Sequence, residues 1–94
     1  MARIKVKYKA KILYRGKERW GLADPNNKSA LLNSKMRGKK HLEILNHECL
    51  HILFPDALED EIEQKSIILT NTLWHDGYRK PDHSNKIPMQ DGSI

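Results

Sequence analysis

Two histidines four residues apart, with a glutamate beside the first, make up the run His47-Glu48-Cys49-Leu50-His51. On a helix, residues four apart stack on one face, so both imidazoles can reach one metal ion. Glu48 then stands next to the ion's open coordination position. With zinc there, a bound water loses its proton near pH 7. The Glu48 carboxylate is positioned to take that proton as the water attacks an amide carbonyl, and the ligand types point to zinc as the metal. Cys49, inside the motif, falls on the face of Leu42, Leu45 and Ile52 and reads as core packing rather than as a ligand or nucleophile.

A catalytic zinc needs a third protein ligand. A histidine six residues after the motif, the metzincin arrangement, is excluded, because Phe54 replaces the required glycine and Ala57 the histidine. The acids that follow are Asp56, Glu59, Asp60, Glu61 and Glu63, and the next is Asp76. On a helical wheel Glu61 lies beside a Leu58/Ile62/Leu69 stripe and Glu59 flanks it on the other side, which favours Glu61 only slightly. The structural reading of the cluster is acids opposing a helix dipole at its N-terminus. His75 is a more distant candidate. His41, six residues before His47, reads as a surface residue on the far side of the helix.

The elements needed to hold these residues follow from the pattern. Alternating charged and apolar residues over 3–14, then a turn at Arg15-Gly16-Lys17, predict a strand and its return over 18–24. Asp24-Pro25-Asn26-Asn27 is a second turn, and residues 28–33 with Ala30, Leu31 and Leu32 predict a third strand. Helical periodicity runs over 39–54 until Pro55 stops it. A second helix is expected over 57–74, with Leu58, Ile62, Leu69 and Leu73 as its apolar stripe and Gly77 as its end. The layout is an α+β domain: a small antiparallel three-stranded sheet followed by two helices, with the motif helix packed on the sheet. One domain is expected over 1–79 and a flexible tail over 80–94, which is polar and holds Pro81, Pro88 and Gly92.

Composition bounds the rest. A chain of 94 residues has room for one domain, and 38% hydrophobic residues make its core small. There is no apolar run long enough to cross a membrane and no apolar leader at the N-terminus. Cys49 has no partner for an internal disulfide, so the expected setting is the cytoplasm. The net charge of +5 and a pI near 9.4 favour acidic partners. Arg3, Lys5, Lys7, Lys9 and Lys11 form a striped basic strand. Lysines that blunt an exposed sheet edge account for it; a nucleic-acid contact is the alternative.

The stretch Trp20-Gly21-Leu22-Ala23-Asp24, the turn, the apolar strand and then residues 41–55 around the motif resemble a family of minimal zinc metallopeptidase-like proteins. These are small gluzincins, common in phage and bacterial genomes and related in layout to SprT-like and ImmA/IrrE-type domains. The resemblance spans about residues 18–79 and includes Leu73-Trp74 and Gly77-Tyr78-Arg79. It implies His47 and His51 as zinc ligands, Glu48 as general base, and Asp60-Glu61 as the acidic pair whose second member is the third ligand. It also implies an edge strand beside the motif helix, over 28–33, where Ala30, Leu31 and Leu32 would pair with an extended substrate peptide. The chain departs from the large thermolysin-like enzymes, in which the acid would fall near Asn71 and Thr72. It departs from SprT-like proteins at Ser66, near where they carry a third histidine.

The expected function is therefore zinc-dependent hydrolysis of peptide bonds in a protein or peptide substrate, and the resemblance implies a bacterial cytoplasm and a bacterial or phage gene. The alternative is a metal-stabilised basic module that binds nucleic acid or an acidic protein without turnover.

Overall fold

The computed structural model describes residues 3–80; the tail expected over 80–94 lies, from residue 81 on, outside the described residues. Seven elements follow in the order β1 (Lys5–Lys9), β2 (Ile12–Tyr14), β3 (Lys17–Arg19), β4 (Gly21–Asp24), β5 (Ser29–Asn33), α1 (Gly38–Leu53) and α2 (Glu59–His75). The protein is α+β, strands first and two helices after. The strand expected over 3–14 is divided into β1 and β2, and the short strand expected over 18–24 into β3 and β4. β2 and β3 form a separate antiparallel hairpin whose two-residue loop, Arg15 (φ 54) and Gly16 (φ 78), has both residues left-handed. That turn matches the natural twist of a hairpin, and glycine is the residue that adopts it at least cost.

The main sheet has the order β1-β5-β4, with β5 antiparallel to β4 and parallel to β1. It is thus mixed rather than wholly antiparallel. The chain leaves β1, makes the hairpin and β4, and returns between the two. β5 takes the centre because its residues are the most apolar: Ala30 and Leu32 are buried and Leu31 half-buried. β1, with exposed Lys5, Lys7 and Lys9, stays at an edge, where lysine discourages pairing with another chain.

Helix α1 lies across one face of this sheet. His41, Ile44 and Glu48 recur at helical spacing and turn toward the strands. Ile44 and Glu48 meet Gly21 of β4, and the ring of His41 stacks on Tyr8 of β1 at 5.8 Å between centroids. His41 is buried rather than on the surface, with Nε2 2.9 Å from the Tyr8 hydroxyl. Its position three residues before Ile44 and seven before Glu48 puts it on the sheet-facing side.

Helix α2 runs back along α1. Its buried residues are Ile62, Ser66 and Thr70, so the stripe that meets α1 is shifted from the expected one. Leu58 is 73% exposed and Leu69 38%. Small hydroxyl residues let the helices approach: Ser66 Oγ donates to the Glu63 carbonyl at 2.9 Å, and Asn46 Nδ2 donates to Thr70 Oγ1 at 3.0 Å. The helix closes with Gly77 N–H bonded to the Trp74 carbonyl and Tyr78 N–H to the Leu73 carbonyl, a Schellman ending. Among the described residues, no helix is long and apolar enough to cross a membrane.

Burial, with Lys80 and Arg37 nearby, holds the His41 pKa below its ordinary 6.5. A group lowered on folding contributes stability that is complete above its unfolded pKa and is lost as pH falls through the folded one. The urea midpoint should therefore drop from pH 7.5 to pH 5, and drop less in His41→Gln. An equal drop in both would remove His41 as a cause.

Candidate metal centre

The residues His47, His51 and Glu59 bring three donor groups together, with one atom of each within 4.8 Å of the others. The two Nε2 atoms are 3.1 Å apart. Glu59 Oε2 lies 3.1 Å from His47 Nε2, and Glu59 Oε1 lies 3.0 Å from His51 Nε2. The rings meet edge to face, 63° apart. Imidazole N–H groups donating to the carboxylate, or one cation held among the three, can account for contacts this close. A tetrahedral zinc with bonds of about 2.0–2.2 Å holds its ligand atoms roughly 3.3 Å apart. The donor types and separations fit that ion.

The helical hairpin explains the convergence. The histidines are one turn apart on α1, near its C-terminal end, and the connection over residues 54–58 is short. The first turn of α2 is therefore delivered opposite them. Glu59, Ile62, Glu63, Ser66 and Thr70 share the α2 face turned to α1. Glu61, the third ligand expected from the family resemblance, lies about 200° around the helix from Glu59. It is exposed and is not part of the cluster. The error traces to the stripe: reading Leu58 and Leu69 as buried rotated the wheel, whereas the true interface runs through Ser66 and Thr70. His75 stands sixteen residues after Glu59 on the same helix, about 24 Å away along its axis, so it cannot reach the histidines.

A second carboxylate was not expected from sequence. Glu63 Oε1 lies 3.3 Å from His47 Nδ1. A metal on Nε2 would put the His47 proton on Nδ1, the side on which this carboxylate lies. The signal for it was present: Glu59 and Glu63 are four apart, as are His47 and His51, so two matched pairs meet across the hairpin.

Glu48 points away from this cluster's α2 side and toward the sheet. A Cβ on Gly21 would come within 3.0 Å of Glu48 Cγ and of Ile44 Cγ2, and within 3.1 Å of Glu48 Oε2. Glycine is what allows the carboxylate to lie against the strand. Burial, the largest cause, pushes the Glu48 carboxyl above its ordinary range; His47 pulls it down, and Glu59 pushes it up again. A carboxyl raised in this way is a better proton acceptor than an exposed one. The Cys49 thiol is pushed up by burial and by Glu48, which keeps it protonated and unreactive.

The strand over residues 28–33 is not the edge expected to receive a peptide. β5 is paired on both sides, so the backbone groups of Ala30, Leu31 and Leu32 are committed to β1 and β4, and the side chains of Ala30 and Leu32 are buried. The edge next to α1 and Glu48 belongs to β4, Gly21–Asp24.

Comparison with protein-family models, curated proteins and solved structures finds no significant match to this chain.

Titration with zinc should separate the acids. Glu59→Gln and His51→Ala should each abolish tight binding. Glu63→Gln should weaken it roughly 10–100-fold, as loss of a carboxylate supporting a ligand histidine does. Glu61→Gln should bind as wild type. Loss of zinc in Glu61→Gln with retention in Glu59→Gln would reverse the ligand assignment. Gly21→Ala should lower stability by about 1–3 kcal/mol through overpacking, read as a lower thermal midpoint. An unchanged midpoint would mean that Glu48 and Ile44 yield without cost.

Proposed function

We propose that the chain is a zinc-dependent metallopeptidase-like protein, with His47, His51 and Glu59 as ligands and Glu48 as the general base. The observation that carries this reading is the convergence of two histidine nitrogens and a following glutamate within 3.1 Å, beside a partly buried carboxyl. Zinc would hold and polarise a water and a substrate carbonyl, lowering the pKa of that water to about 7. The chain's own groups do the rest. Glu63 keeps the His47 proton on Nδ1, and Glu48 accepts a proton from the attacking water and returns it to the leaving amine. The free β4 edge, Gly21–Asp24, offers backbone N–H and C=O groups to an extended peptide, and Gly21 keeps that edge within reach of Glu48. The substrate implied is a protein or peptide segment lying flat along the strand.

A second reading is favoured by the core. The fully apolar buried set among the described residues is Ile12, Ala30, Leu32, Met36, Ile52 and Ile62, which is small for independent stability. A metal joining α1 to α2 would then act as a structural clamp, and the chain would be a metal-stabilised binding module without turnover. At zinc a hundredfold above its Kd, the clamp contributes about 2.7 kcal/mol. For a domain of this size that raises the melting midpoint by about 10–20 °C.

Both readings require the metal, and Glu48 separates them. Glu48→Gln should keep stoichiometric zinc and the zinc-dependent rise in melting midpoint, yet lose at least a hundredfold in cleavage of an unfolded protein substrate. Zinc retained with no cleavage by wild type leaves the clamp as the function. No zinc bound by folded wild type ends both readings.

A further inference from the structure

Away from the metal centre, the charge of the molecule is split. Residues 3–40 carry thirteen lysines and arginines against Glu18 and Asp24 alone, whereas eight acids fall within residues 41–80 against Lys65, Arg79 and Lys80. Lys5, Lys7, Lys9, Lys17 and Arg19 lie in strands, and the other bases flank them, with Lys39 and Lys40 in the first turn of α1. Register places three of these lysines on one surface: Lys5, Lys7 and Lys9 pair with Ser29, Leu31 and Asn33 of β5. The neighbouring row of Tyr8, Leu32 and Gly21 faces α1, because Gly21 meets Ile44 and Glu48. The lysines therefore stand on the face turned away from the helices.

At the end of this face is a recess of about 250 Å³ lined by Glu18, Arg19, Trp20 and Asn33. Asn33, in register with Lys9, donates its backbone N–H to the Trp20 carbonyl at 2.8 Å, which ties the two residues that line the recess together. The Asn33 residue is 1% exposed. Its Oδ1 accepts the Lys35 N–H at 2.8 Å, which orients the amide, and among the described residues its Nδ2 has no hydrogen-bond partner. A buried donor left unpaired costs free energy unless something completes it. The indole of Trp20 is 49% exposed, with Lys40 Nζ 5.2 Å from the ring centroid. On the adjoining hairpin, Tyr14 is 44% exposed between the guanidinium groups of Arg15 and Arg19, at 5.4 and 5.9 Å.

We propose that this face binds single-stranded nucleic acid: the backbone follows Lys5, Lys7 and Lys9, and one base stacks on Trp20 in the recess. Cations spaced along a strand neutralise consecutive phosphates, and exposed rings flanked by cations give unpaired bases a surface on which to stack. The recess is below the size of a drug-like pocket and suits a single ring system. Its polar groups pair a donor, Asn33 Nδ2, with an acceptor, the Glu18 carboxylate. Every base has an edge with an N–H beside an acceptor, so such a pair can meet any unpaired base. A duplex hides those edges and stacking faces. A lipid surface would need a contiguous apolar patch, whereas each exposed ring here lies against a cation.

The surface shares no residue with the metal centre, so its fate is independent of the peptidase reading. The test is fluorescence anisotropy of labelled twelve-nucleotide DNA strands with the full chain at several salt concentrations. Oligodeoxyadenylate and oligodeoxythymidylate should each bind more tightly than a duplex of the same length. Trp20→Ala should weaken binding roughly tenfold, with Trp20→Phe restoring most of it. Replacing Lys5, Lys7 and Lys9 by Ala together should lower the slope of log affinity on log salt by roughly 2. Glu48→Gln should bind as wild type. The proposal is overturned if Trp20→Ala binds as wild type. It is also overturned if heparin or vesicles containing a third phosphatidylserine bind as tightly as the oligonucleotide and with the same indifference to Trp20. No binding at 50 mM salt would overturn it too.

Discussion

The approach of α2 to α1 is the constraint on which the candidate centre depends. It is set by small polar residues rather than by a wide apolar stripe: Ser66 and Thr70 are fully buried, and Thr70 accepts a hydrogen bond from Asn46. Bulky aliphatic residues at 66 and 70 would hold the helices apart and turn a different face of α2 inward. With the helices close and antiparallel, Glu59 and Glu63 are presented one turn apart to His47 and His51, themselves one turn apart. The geometry of the four side chains is thus a consequence of helix packing about one to three turns further along α2.

The other side of α1 meets a comparable demand at a single residue. Glu48 can lie against β4 because Gly21 has no side chain. The same contact buries the carboxyl and raises its pKa, and it leaves a free strand edge beside the acid. Glu48, the His47–His51–Glu59 cluster and the β4 edge are then arranged around the last turns of one helix, which is what the proposed peptidase reading requires. The alternation of His47 and His51 with Ile44 and Glu48 on neighbouring faces makes this possible, since α2 covers one face and the sheet the other.

The polar parts of the fold divide along the same line. Acids gather on α2, where Glu59, Asp60 and Glu61 oppose the positive end of the helix dipole, and one of them turns toward the histidines. Bases gather in the N-terminal half, on β1, β3 and the segments that flank the strands, and Lys5, Lys7 and Lys9 keep the β1 edge solvated. With six buried apolar residues among those described, the chain keeps its basic and acidic regions in separate halves of the sequence.

Much of this was legible in the chain itself, because it depends on local spacing. The four-residue interval of His47 and His51 places both rings on one face of any helix. Pro55 ends that helix, Arg15-Gly16 turns a hairpin, and the alternation over the first strands predicts an α+β layout. What the tertiary structure decided involves contacts between distant segments. The choice of Glu59 over Glu61 required knowing which face of α2 is buried, and Ser66 and Thr70 do not announce burial by their polarity. The central place of β5, which removes Ala30, Leu31 and Leu32 from any edge, follows from strand order, and alternation is the same for central and edge strands. The burial of His41 under Tyr8 and the room that Gly21 leaves for Glu48 likewise exist only once helix and sheet meet. Periodicity assigns a residue to a face of its own element; packing alone determines what that face meets.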